Sequence, residues 1–119
     1  MAKPTILVKR SYEKAQKSDG VRVLVDRIWP RGVSKEDAKI EEWAKDLAPT
    51  TELRKWFGHK PELWPEFQKK YFAEMKKNEA IESFIEAHKS DKVLSLIYSA
   101  KDEEHNQALV LQKFLDEHF

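Results

Sequence analysis

Two short runs, Val23-Leu24-Val25 and Leu96-Ile97, are apolar at consecutive positions. Side chains alternate between the two faces of a strand, so a strand that is apolar on both faces is covered on both. Antiparallel sheets with one wet face do not read this way, whereas parallel sheets do. The pattern therefore points to an α/β fold in which helices lie on both faces of a small, mainly parallel sheet. Three strands are predicted: Thr5 to Lys9, Val21 to Ile28 after the Ser18-Asp19-Gly20 turn signal, and Val93 to Tyr98.

About five helices fill the remainder. Ser34-Lys35-Glu36-Asp37 resembles a capping box, and Ile40, Trp43, Ala44 and Leu47 continue it as a helical stripe that Pro49 ends. Thr50 caps a short helix bearing Leu53, Trp56 and Phe57, with Gly58 as its left-handed terminator. After Pro61 and Pro65, a third helix aligns Trp64, Phe67, Tyr71 and Met75, and after Asn78 a fourth aligns Ile81, Phe84 and Ile85. The last runs from about Asp102 and turns Ala108, Leu111 and Leu115 inward. Neither an internal repeat nor a low-complexity linker interrupts the order, so residues 1–119 read as one α/β domain with a three-stranded sheet.

Composition narrows the function classes. The chain is 40% hydrophobic, enough for a core despite a charged fraction of 36%, which argues against disorder. With no cysteine, disulfides, thiolate metal sites and a cysteine nucleophile are excluded, and a reducing compartment is expected. No apolar run approaches the roughly 18 residues of a membrane span, so the expectation is a cytoplasmic chain without a membrane partner. The net charge of +1 is unevenly spread: residues 1–35 carry nine Lys or Arg against three acids, and the rest of the chain is acidic. The first third can therefore carry a local positive field without strong long-range attraction for nucleic acid.

Polar residues gather where strands end, the place at which parallel sheets hold ligands. In Asp26-Arg27-Ile28-Trp29-Pro30-Arg31-Gly32, two guanidinium forks suit phosphate or carboxylate, while Asp26 can orient one of them or accept a proton. An Asp26–Arg ion pair stitching a turn is the structural alternative. After the third strand comes Tyr98-Ser99-Ala100-Lys101-Asp102-Glu103-Glu104-His105-Asn106. Here a helix N-terminus with Lys101 can hold an anion, and His105 and Asn106 offer an acid or base and an amide. Capping alone explains the acids, Asp102 among them. A third group, Arg54 and His59 between helices, is a weaker candidate. No pair of histidines has a metal-motif spacing, so no metal is expected. A phosphate loop, a nucleophile elbow and a dinucleotide fingerprint are all missing, so no cofactor is assigned.

Four segments, Val25-Asp26-Arg27-Ile28-Trp29-Pro30-Arg31-Gly32, Asp46-Leu47-Ala48-Pro49, Leu53-Arg54-Lys55-Trp56-Phe57-Gly58-His59 and Ala100-Lys101-Asp102 to His105-Asn106, occur in an order that resembles the YeaO-like branch of a domain family of unknown function. The likeness runs from about Val8 to Leu115. It implies a small α/β domain in which an Asp-bearing strand end meets a later strand and its following helix. It also implies that Asp26, Arg27, Arg31, Lys101, Asp102, His105 and Asn106 form the site. Some relatives place a Cys-His-Arg motif near the start of that helix; this chain has His105-Asn106 there and no cysteine, so a thiol mechanism does not carry over.

Three functions remain in play. The first is a cleft for a small anionic or phosphorylated molecule, with Asp26 and His105 as acid or base if hydrolysis or transfer occurs, and with Arg27, Trp29, Arg31, Arg54, His59, Tyr98, Lys101, Asp102 and Asn106 as binding groups. The second is a nucleic-acid module that stacks bases on Trp29, and the third a protein-interaction module. Oligomeric state is left open by the sequence.

Overall fold

A computed structural model describes residues 3–119. Four parallel strands, β1 (Thr5–Arg10), β2 (Val21–Leu24), β3 (Glu42–Trp43) and β4 (Val93–Tyr98), lie in the order β1-β4-β2-β3. The five helices are α1 (Lys35–Ala38), α2 (Thr51–Phe57), α3 (Trp64–Lys76), α4 (Glu79–His88) and α5 (Gln107–His118). Val8, Leu96 and Val23 stand side by side in register, which places them on one face. That face carries Ile6, Val23, Val25, Leu94, Leu96 and Tyr98, which join the buried residues of α2 to α5 in one core cluster.

On the opposite face Leu24, Ser95 and Ile97 of the two central strands are buried, whereas Leu7 of β1 and Trp43 of β3, at the edges, are exposed. The chain between β1 and β2, together with the single turn of α1, covers the central pair. Arg22 donates to Asp19 at 2.6 Å and to the Ala38 carbonyl at 2.8 Å, and Ser95 Oγ donates to the Asp19 carbonyl at 2.6 Å. On this face the helical cover is a single turn, α1, and a buried ion pair with the β1–β2 connection completes it. Gly20 is fixed by the same closure. Its φ is +64°, and a Cβ there would lie 2.3 Å from the Val93 carbonyl oxygen.

The sheet has four strands, not three. Instead of continuing as a helix through Leu47, the chain leaves α1 at Lys39 in the left-handed conformation and runs beside β2. The open edge of β2 is what captures it, because Glu41 and Ala44 donate their backbone N–H groups to Arg22 and Leu24 at 2.9 and 2.8 Å. β2 itself stops at Leu24 instead of Ile28. α5 starts at Gln107 with Asn106 as its cap, not at Asp102, because Asp102 spends its side chain on the turn before the helix. The caps of α2 are as predicted: Thr50 Oγ1 accepts from the Leu53 N–H at 3.2 Å, and Gly58 terminates at φ +52°. Among the described residues, no helix is long and apolar enough to cross a membrane.

Candidate functional site

Because all four strands run the same way, their C-terminal ends lie along one edge. There a cleft of about 570 Å³ opens. Three elements meet on one carboxylate in it. Asp26 follows β2, Ser99 follows β4 and Gln107 begins α5; Ser99 donates to Asp26 Oδ2 through its backbone N–H at 3.0 Å and its hydroxyl at 2.5 Å, and Gln107 Nε2 donates to Oδ1 at 2.5 Å. Burial raises the pKa of Asp26, and it outweighs the Ser99 and Gln107 donors and the nearby Arg54 cation, all of which favour the carboxylate.

Around this buried acid stand four cations: Arg27, Arg31, Arg54 and Lys55. Arg27 is partly committed, giving its Nε to the Pro49 carbonyl and one Nη to the Ala48 carbonyl, each at 3.2 Å. These bonds aim the guanidinium and leave its other Nη without a protein partner among the described residues. Arg31, Arg54 and Lys55 are exposed, and their side chains make no hydrogen bond or ion pair with the described residues. Asp26, which already accepts three hydrogen bonds, neutralises only part of this charge, so the cleft is a positive site.

His105 enters from the chain before α5. Its Nδ1 lies 2.9 Å from Asp102 Oδ2, and its ring stands edge-on to Trp64 with centroids 5.3 Å apart. A carboxylate on Nδ1 places the proton there and leaves the Nε2 lone pair available. Asp102 is itself anchored by the backbone N–H groups of Glu104 and His105 on Oδ1, and these donors, Glu104 foremost, hold its carboxyl below the usual range. His59 joins the cleft just after Gly58, with a positive φ of 58° and its ring tilted against Phe57.

Eight of the eleven residues singled out in the sequence line the cleft: Asp26, Arg27, Trp29, Arg31, Arg54, His59, His105 and Asn106. Their roles differ from the expectation in places. Trp29 donates its indole N–H to the Val33 carbonyl at 2.6 Å and packs edge-on against Trp43, so it braces the 29–33 turn. Asn106 is buried and spends both ends of its amide, accepting from Leu109 N and donating to the Asp102 carbonyl. Tyr98, Lys101 and Asp102 do not line it. Tyr98 is in the core, where burial pushes its hydroxyl pKa up; Lys101 is exposed outside the cleft; Asp102 acts through His105. Sequence reasoning quoted Ser99 and Lys55 without giving them a role, and it missed Gln107. Ser99 was readable as the first polar residue after β4, whereas nothing local marks Gln107 as a partner of a residue 81 positions away. Among the described residues, no group of three or more His, Cys, Asp or Glu side chains is placed to hold a metal ion.

Comparison with known proteins places the chain in a family. A family model described as "Inactive DUF488-N3 subclade" matches residues 5–119. The uncharacterised protein YeaO of Escherichia coli is 42% identical over 110 residues, which cover 92% of this chain and 96% of YeaO. Uncharacterised proteins of Mycobacterium tuberculosis and Mycobacterium bovis are 46% identical over 76 residues, 64% of this chain and 64% of theirs. No solved structure matches. The chain therefore belongs to the DUF488-N3i family, as a YeaO-like member of a domain family of unknown function.

Proposed function

We propose that the protein binds a small anionic or phosphorylated molecule in the strand-end cleft. One observation carries the reading: Arg31, Arg54, Lys55 and the free Nη of Arg27 converge on a cleft whose single carboxylate already has three hydrogen-bond donors. Guanidinium groups without a protein counter-ion at the end of a parallel sheet are suited to bidentate capture of phosphate or carboxylate. Recognition without turnover is the form best supported, since the family model that matches the chain is described as inactive.

A second reading, hydrolysis or group transfer on the bound anion, rests on the Asp102–His105 pair, which leaves an imidazole nitrogen free to take a proton. The nucleic-acid alternative draws less support, because Trp29 is half-buried and its ring is tied into the 29–33 turn by the Val33 carbonyl. Thermal-shift titration with phosphate, pyrophosphate, sulfate and small carboxylates tests binding. A ligand at about 100 times its Kd should stabilise the fold by about 2.7 kcal/mol, and Arg54→Ala should abolish most of the shift. A flat response of the wild-type protein to every anion defeats the reading. Release of product from phosphate esters, lost in His105→Ala, would establish the second reading.

A further inference from the structure

The cationic groups explain only part of the cleft. Ile28, between Arg27 and Trp29, is 66% exposed, the most open of the exposed large hydrophobic residues. It stands on the cleft beside Pro30, while Pro49 and the stacked rings of Phe57 and Phe67, 4.4 Å apart, continue the apolar lining. A single exposed aliphatic residue is ordinary, but one that shares the lining of a charged cleft with two prolines and two aromatic rings is not. Ile28 lies outside the core cluster, so its position serves no packing that is visible in the fold. The cleft volume of about 570 Å³ falls in the roughly 300–1,000 Å³ range of sites for drug-sized organic ligands, well beyond what a bare tetrahedral anion fills.

Resting on the anion-binding reading above, we infer that the ligand is an organic anion with a flat apolar body, its charged head held by Arg31 and Arg54 and its body laid against Ile28 and the aromatic floor. An aryl phosphate and an aryl carboxylate share this chemistry. Inorganic phosphate would satisfy the cations and leave the apolar wall wet.

Isothermal titration with inorganic phosphate, methyl phosphate, phenyl phosphate and benzoate separates the possibilities. Phenyl phosphate should bind the wild-type protein at least about tenfold more tightly than methyl phosphate, the increment expected for burying one ring. Benzoate against phenyl phosphate tells which head the cations prefer. Ile28→Ala, a change at an exposed position, should cut the phenyl advantage severalfold, weakening phenyl phosphate more than methyl phosphate. Arg54→Ala should weaken both esters alike. Equal affinity for the methyl and phenyl esters overturns the inference while leaving the anion reading standing. Failure of every anion to bind overturns both.

Discussion

Asp26 is held by two donors on Oδ2 and one on Oδ1, and that asymmetry decides what can replace it. An asparagine must keep its oxygen towards Ser99 and turn its amide nitrogen to Gln107, which can rotate its own amide to accept. Asp26→Asn should therefore fold while losing the charge. Because the native pKa of Asp26 is raised, the native state binds more protons than the unfolded chain just above the ordinary carboxylate range. The contribution is present below the unfolded value of about 3.8 and is lost as pH rises through the native one. Urea unfolding from acid to neutral pH should consequently show the variant gaining on the wild type as pH rises. His88 behaves in the opposite chemical sense. Burial disfavours its imidazolium, but hydrogen bonds that His88 donates to Asp91 at 2.7 Å and Glu42 at 2.8 Å overcome that and raise its pKa. The stabilisation it supplies is complete below the unfolded value of about 6.5 and fades as pH climbs through the native one, so Glu42→Gln should flatten the fall in stability between about pH 6 and pH 8.

Elements differ in how plainly their residues announce them. β4, the two caps of α2 and the Trp64, Phe67, Tyr71 and Met75 stripe of α3 rest on near-neighbour signals, and each was legible in the sequence. β3 was not. Its Ile40, Trp43, Ala44 and Leu47 spacing fits a helix, but the competing bonds come from Arg22 and Leu24, nearly twenty residues earlier, and local periodicity carries no trace of them. The same blindness hid Gln107 from Asp26. The residues of the 26–31 turn were legible because charge clustered after an apolar run is itself a local pattern. Gly20 belongs to this scale too, since it lets the β1–β2 connection close over β4. Gly20→Ala pushes a methyl group into the Val93 carbonyl at a positive φ, and chemical denaturation should report a loss of about 2 kcal/mol or more.

Across the whole molecule, one face of the sheet carries the core and its far end carries the cleft, and Phe57 and Phe67 belong to both. Stability and recognition are therefore coupled through shared rings. Phe67→Ala should cost about 3–5 kcal/mol by calorimetry or denaturant, and it should also deepen the cleft floor and weaken aryl ligands more than methyl phosphate. Parallel strands have a further consequence: every one of them starts at the edge remote from the cleft. The turn that feeds β4 there includes Ser90, which is exposed. In a chain without a native thiol, Ser90→Cys gives a unique attachment point, so a dye or a sensor surface can be joined to the protein with the cleft facing away from it.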